Sequence, residues 1–199
     1  MRMVLKKKLS AGLCLLLMVC TVLGAVPRSG MEVQAAEENE FEIENGVLKK
    51  YNGSGGEVII PDGVTSIGEE AFAGCKTIKS VVIPKNVTSI GWGAFQGCSG
   101  LENVTIPENV EIIEDYAFWS CGLTSIEIPS SVTSMGSYPF GACASLESIK
   151  VAEGNEKYNS QGNCNAIIET QNNKLIAGCK NTIIPSSVTT IGNDIVNIG

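Results

Sequence analysis

The chain has 199 residues, 44% of them apolar, 18% charged and 6% aromatic, with 22 glycines, 8 cysteines and no histidine. Without histidine there is no Ser-His-Asp or Cys-His catalysis, no imidazole metal ligand and no histidine pH switch. Fourteen basic residues against 21 acidic give a net charge of −7, which excludes nucleic-acid binding by bulk electrostatics.

The first predicted element is an address. Arg2, Lys6, Lys7 and Lys8 form a basic start, Leu9 to Val26 is apolar and uncharged, and Val33-Gln34-Ala35 offers a small-residue cleavage site before Ala36. This pattern reads as a secretory signal peptide over residues 1–35. The competing reading is an uncleaved anchor, for which the run is about long enough. Removing those 35 residues takes away five basic groups (Arg2, Lys6, Lys7, Lys8, Arg28) and one acidic (Glu32). Nine lysines and 20 acidic residues are left, a net of −11. No second long apolar run follows, so the exported chain is expected to have no membrane span, and its charge repels nucleic acid and anionic membranes. The expected location is secreted or cell-surface.

Residues 36–56 are expected to form an N-terminal cap and a linker. In FEIENGVLKKY, over 41–51, Asn45-Gly46 stands between alternating apolar residues and predicts a β-hairpin with a type I′ turn. Gly53-Ser54-Gly55-Gly56 is then a flexible join.

Residues 57–151 repeat. Ile-Pro recurs at Pro61, Pro84, Pro107 and Pro129, at intervals of 23, 23 and 22. Phe72, Phe95, Phe118 and Phe140 keep the same period, as do Cys75, Cys98, Cys121 and Cys143. The unit is L-x-x-I-x-I-P-x-x-V-T-x-I-G-x-x-A-F-x-x-C. Its L-x-x-I-x-I part predicts a short strand with apolar residues inward (Leu101, Val104, Ile106 in one coil), ended by proline. Val-Thr-Ser-Ile predicts a second extended segment, with Val64 and Ile67 inward. Gly68, Gly91 and Gly136 are expected to allow a tight corner. A-F-x-x-C puts Phe and Cys on the same side of a short helix or 3₁₀ turn. One such coil cannot bury its own apolar side, whereas stacked coils can. The fold class expected is therefore mainly β with short helices or 3₁₀ turns: a solenoid of 22–23-residue coils with a sheet of parallel strands and a hairpin cap.

Residues 152–181 break the period. Ile167-Ile168 and Leu175-Ile176 flank Gln171-Asn172-Asn173, which predicts an inserted hairpin, either a binding insertion or a spacer that continues the stack. The period returns at Ile184-Pro185, and 182–199 is a final partial repeat in which Gly192 to Val196 fills the G-x-x-A-F slot. This is either a degenerate closing coil or the broken end of a longer array.

The pattern I-P-x-x-V-T-x-I-G with A-F-x-x-C resembles the BspA-like class of leucine-rich repeat proteins over roughly 57–151 and again from Thr182. That resemblance implies a leucine-rich repeat solenoid, exposure at a bacterial surface, and binding of extracellular proteins, often in adhesion to host or matrix proteins. The alternative is a structural or targeting module of a larger cell-wall-associated protein.

Cys75, Cys98, Cys121 and Cys143 occupy one slot in successive coils. Their side chains should point in parallel into the core, a poor geometry for disulfides and useless for a tetrahedral ion. They are expected to be small apolar fillers. Cys164 and Cys179 flank the inserted hairpin and are either joined by a disulfide or free, which thiol titration of the unreduced, denatured protein decides. Nothing in the sequence argues for an enzyme or a cofactor. Asp62, Asp115 and Asp194 are the only aspartates, and the pairs Glu69-Glu70 and Glu114-Asp115 sit at coil corners, as solvated carboxylates do.

The candidate binding surface is the outward face of the strand sheet, read as three columns. One is Lys79, Glu102, Thr124 and Glu147. The second is Ser80, Asn103, Ser125 and Ser148. The third is Val82, Thr105, Glu127 and Lys150. Such a ribbed polar face suits a large or extended partner. Trp92 and Trp119 fall at corner positions, either as exposed anchors or as covers for gaps beside their coils.

Overall fold

In the computed structural model, which describes residues 40–192, Asn45 and Gly46 turn the first hairpin with φ of +51° and +78°. Two consecutive left-handed residues are the type I′ geometry that Asn-Gly favours. The turn joins β1 (Phe41–Glu44) to β2 (Val47–Tyr51) antiparallel. A register shift sets Glu42 opposite Lys50 and Ile43 opposite Leu48. The signal-peptide segment and residues 193–199 of the last repeat lie outside the described residues.

Each coil has three sides. The first carries the L-x-x-I-x-I strands: β3 (Gly56–Ile59), β5 (Ile78–Val82), β7 (Asn103–Thr105), β9 (Ser125–Ile128) and β11 (Ser148–Val151). The second carries two-residue strands from Val-Thr-x-Ile: β4 (Ser66–Ile67), β6 (Ser89–Ile90), β8 (Ile112–Ile113) and β10 (Ser134–Met135). These four pair in parallel, one per coil, and β2 of the hairpin adds to them through Val47↔Ser66 and Leu48↔Ile67. The hairpin is thus the first rung of the stack, and its outer strand β1 is the sheet's edge.

The third side is the A-F-x-x-C segment, and it differs from the short helix expected. It forms hydrogen-bonded turns; the 3₁₀ turn among the described residues lies elsewhere, at Gln161–Asn163. Alternate amides reach the next coil: Glu70 N to Trp92 O (2.9 Å), Phe72 N to Ala94 O (2.7 Å) and Gly74 N to Gln96 O (2.7 Å), with the same trio one coil on from Gly93, Phe95 and Gly97. The backbone therefore spends its amides between coils, as a strand would, instead of within a helix. Two left-handed residues per coil make this geometry: Glu70, Gly93, Tyr116 and Tyr138 in one slot, and Gly74, Gly97, Ser120 and Ala142 in the other. The corner glycines work differently from the expectation. Gly68 and Gly91 are needed for close approach, since a Cβ would come within 2.7 Å of Leu48 O at the first and 2.9 Å of Ile67 O at the second.

Inward residues stack slot upon slot. Val64, Val87, Val110 and Val132 are fully buried, as are Ile67, Ile90 and Ile113. Phe72, Phe95, Phe118 and Phe140 form a column with ring centroids 4.8, 5.1 and 5.5 Å apart and interplanar angles of 9°, 4° and 12°. Tyr51 and Phe41 extend it into the hairpin at 5.2 and 5.3 Å, more steeply tilted. Aromatic contacts of this kind add about 0.5–1.5 kcal/mol per pair beyond their buried area.

The inserted hairpin is a second version of the first. β13 (Ala166–Glu169) and β14 (Lys174–Gly178) pair antiparallel, with β12 (Tyr158–Asn159) on one side and β15 (Thr190–Ile191) on the other. The register shift falls in the same place: Ile167 faces Ala177, and Ile168 faces Leu175. Leu175 pairs with Ile191 and accepts from Gly192 N at 2.9 Å, as Leu48 pairs with Ile67 and accepts from Gly68 N at 2.8 Å. The difference is on the outer face. Glu42 and Lys50 of the first hairpin are exposed. Their counterparts Ile167 and Ala177 are buried in the main core, while Cys164, Ala166, Ile168 and Leu175 form a separate core with Val188 packed against it. This plate is buried on both faces: one closes the preceding stack and the other opens the next coil.

Candidate functional site

The predicted columns exist where the ladders are continuous. Ser80 faces Asn103 and Val82 faces Thr105 across β5 and β7; Ser125 faces Ser148 and Glu127 faces Lys150 across β9 and β11. Proline after β3, β5, β7 and β9, and alternate inward apolar residues throughout, leave these positions outside. Ser80 and Ser148 are half-buried, and the other ten column residues are exposed. Lys79 and Glu102 are joined at 3.2 Å, with side chains 61% and 56% exposed, so the pair contributes little to stability.

The face is not one sheet. β3-β5-β7 and β9-β11 are separate sheets. Thr124 N donates to Glu102 O at 3.3 Å, and no paired register carries the ladder on between Asn103–Thr105 and Ser125–Ile128. The seam falls where the arch before the strand is one residue shorter: Cys121-Gly122-Leu123 in place of Cys98-Ser99-Gly100-Leu101. A cleft of about 400 Å³ opens there, lined among others by Asn103, Thr105, Glu108, Ser125 and Glu127. The one-residue contraction was visible in the 22-residue interval, but its consequence for pairing was not.

The thiol column is in the core as expected, with a polar role added. Cys98, Cys121 and Cys143 are buried, and each donates at 3.1 Å to a carbonyl of the preceding coil: Phe72 O, Phe95 O and Phe118 O. Cys75, at the start of the column, is half-buried. Burial pushes Cys143 up to about 11. The hydrogen bond with Cys98, and then burial, hold Cys121 far above the ordinary thiol range. Cys121 and Cys143 are thus neutral structural thiols and poor nucleophiles, while the hydrogen bond with Cys121 lowers Cys98.

Cys164 and Cys179 are not bonded to each other in the structure. They serve opposite faces of the plate, Cys164 in the second core and Cys179 in the main one. Cys179 donates to Asn165 O at 3.4 Å. Symmetric placement about a turn does not put two side chains on one face when a register shift intervenes.

Trp92 and Trp119 are neither free-standing nor fully covered. Both are half-buried and both meet Tyr116 edge-to-face, at 5.9 and 5.6 Å. Among the described residues, no three cysteine or carboxylate side chains converge as a metal site, and no helix is long and apolar enough to cross a membrane.

Three ladders, inward-facing repeat residues and an exposed ribbed face define a leucine-rich repeat solenoid. The sequence matches the BspA type Leucine rich repeat region in six copies over residues 42–168, and the chain belongs to that family. Proteins of this kind are generally surface and protein-interaction proteins, and their fold is typically non-enzymatic. Among solved structures, a leucine-rich repeat protein from Eubacterium ventriosum is 25% identical with a TM-score of 0.55, over 73% of this chain and 48% of its own. This chain therefore spans about half the length of that protein. The T. pallidum Leucine Rich Repeat protein is 21% identical with a TM-score of 0.52, over 80% of this chain and 82% of its own. The Pneumococcal vaccine antigen PcpA is 20% identical with a TM-score of 0.58, over 68% of this chain and 41% of its own. The last two likenesses concern the fold alone. No curated protein matches the chain.

Proposed function

We propose that the chain is a secreted or cell-surface protein, without catalytic activity, that binds extracellular proteins through the outward sheet face and serves in adhesion. The observation that carries this reading is the paired columns with the seam between them: Asn103, Thr105, Ser125 and Glu127 line a polar cleft in the middle of an exposed, ribbed face. Many weak polar contacts over a regular face suit a large partner, and an open cleft gives one point of deeper contact. The signal-peptide reading of residues 1–35 and the family's general surface location support export.

The test is binding of the chain to a panel of purified extracellular matrix proteins, against the triple variant Asn103→Ala, Glu127→Ala, Lys150→Ala. The expected result is capture of at least one matrix protein, weakened tenfold or more by the triple variant with an unchanged circular dichroism spectrum. Equal binding by the variant, or no binding across the panel, overturns the proposal.

A second reading, a repeat module within a larger cell-wall-associated protein, draws on the 48% share of the Eubacterium ventriosum structure and on the plate that opens a further coil. A downstream anchor or catalytic domain in the reading frame would favour it.

A further inference from the structure

The third side of the solenoid holds a feature that the sheet-face reading does not use. Both tryptophans of the chain and two of its four tyrosines gather at one corner. Tyr116 is the hub: Tyr138 stacks on it at 5.5 Å and 8°, Trp92 and Trp119 meet it edge-to-face, and Trp119 meets Tyr138 at 5.7 Å and 81°. All four side chains are half-buried, so the rings fix one another and still present surface to solvent.

Two further observations separate this corner from ordinary packing. Tyr116 and Tyr138 have φ of +58° and +52°, in the left-handed slot of the repeat that Glu70 and Gly93 fill in the two coils before. A left-handed residue other than glycine costs about 1–2 kcal/mol. Placing tyrosine there twice in succession exchanges backbone ease for an aromatic surface. Charge within the turn segments is also of one sign, with the exposed Lys49 and Lys50 of β2 running alongside Glu69 and Glu70 at the near end. The turn segments 68–75, 91–98, 114–121 and 136–143 contain Glu69, Glu70, Glu114 and Asp115 and no lysine or arginine. Glu114 Oε2 accepts from Trp92 N at 2.9 Å, and Asp115 Oδ1 from Ser137 N at 2.7 Å. Those two carboxylates are thereby held beside the rings, while Glu69 and Glu70 are exposed one coil away.

We infer that this corner is a second docking surface, distinct from the sheet face, for an arginine-bearing segment of a protein partner. Aromatic faces attract cations. The guanidinium is the cation that stacks flat on a ring and donates from its edge to a carboxylate at the same time, which a compact ammonium cannot do. Rigid aromatic surface binds with little loss of side-chain freedom.

Trp92 and Trp119 are the chain's tryptophans, so emission excited selectively from tryptophan reports on this corner alone. The experiment is a fluorescence titration of the full chain with a nona-arginine peptide in low salt, repeated with nona-lysine. The expected result is a saturable change in emission with nona-arginine, at least tenfold tighter than with nona-lysine. The double variant Glu69→Gln, Glu70→Gln should weaken it at least fivefold. The double variant Glu153→Gln, Glu156→Gln, which removes the same charge from the loop before the second hairpin, should leave it unchanged. No change in emission, equal affinity for the two peptides, or equal weakening by both double variants overturns the inference. None of these outcomes bears on matrix-protein binding by the sheet face, so the two proposals fail separately.

Discussion

The indole of Trp119 occupies the space that a side chain at position 141 would need: a Cβ on Gly141 would meet the six-membered ring. Position 141 is Ala73, Gln96 and Trp119 in the earlier coils, so this glycine answers to its neighbour and not to its own backbone. Gly141→Ala should therefore push Trp119 off its seat, at a cost of about 1–3 kcal/mol. Urea denaturation and a red shift of the emission maximum check this together. Unchanged values of both would contradict the packing described.

Phe95 lies between two near-parallel rings, whereas Phe41 has one tilted neighbour at the end of the column. Phe95→Ala should cost about 3–5 kcal/mol and Phe41→Ala clearly less. Chemical denaturation of the two variants gives the comparison.

Stability should fall at alkaline pH. The fold favours the protonated form of Cys121, of Cys143 and, through burial, of Tyr51 and Tyr158, and these outnumber Cys98, which the hydrogen bond with Cys121 lowers. A group whose folded value is raised contributes fully below its unfolded value and loses that contribution as pH climbs through the folded one. For Cys143 the window runs from the ordinary 9.0 to about 11. The melting temperature should be level from pH 6 to 8 and fall from about pH 9, and Cys143→Ser should make the fall shallower. At about 1.4 kcal/mol per unit, that residue accounts for roughly 2–3 kcal/mol at full ionisation.

Denatured without reductant, the six cysteines between Cys75 and Cys179 should all react with a thiol reagent, because the two that flank the second hairpin serve opposite faces. A shortfall of two thiols would mean that Cys164 and Cys179 pair after all.

The two faces of the plate should be separable by hydrogen exchange. Ile167→Ala, in the main core, should lower protection of the amides in Ser125–Ile128 and Ser148–Val151. Leu175→Ala, in the second core, should lower it in Lys174–Gly178 and Thr190–Ile191 and leave Ile78–Val82 unchanged. Loss spread evenly over both sets would show a single cooperative core.

Much of this fold was legible because its signals are local or strictly periodic. Asn45-Gly46 has one good turn geometry, and a 23-residue recurrence of Pro, Phe and Cys can be satisfied only by stacking. What escaped the sequence depends on relations between coils. The A-F-x-x-C segment has helical spacing from Phe to Cys, and Cys98 N does reach Phe95 O at 3.1 Å. Yet neighbouring coils claim the alternate amides, and left-handed residues such as Glu70 and Ser120 carry no composition signal. The seam between Asn103–Thr105 and Ser125–Ile128 goes with one missing residue in the arch before Ser125. The fate of Cys164 and Cys179 turns on a register shift at Ile167/Ile168 that a symmetric count about the turn cannot reveal. The outer face of the second hairpin, by contrast, was written in plain letters: Ile167 and Ala177 stand where Glu42 and Lys50 stand in the first.

The hairpin that is greasy on both sides works as a party wall. The filling of the main stack and the small group around Val188 lean on it from opposite sides, so a flaw on one side should leave the furnishing of the other in place.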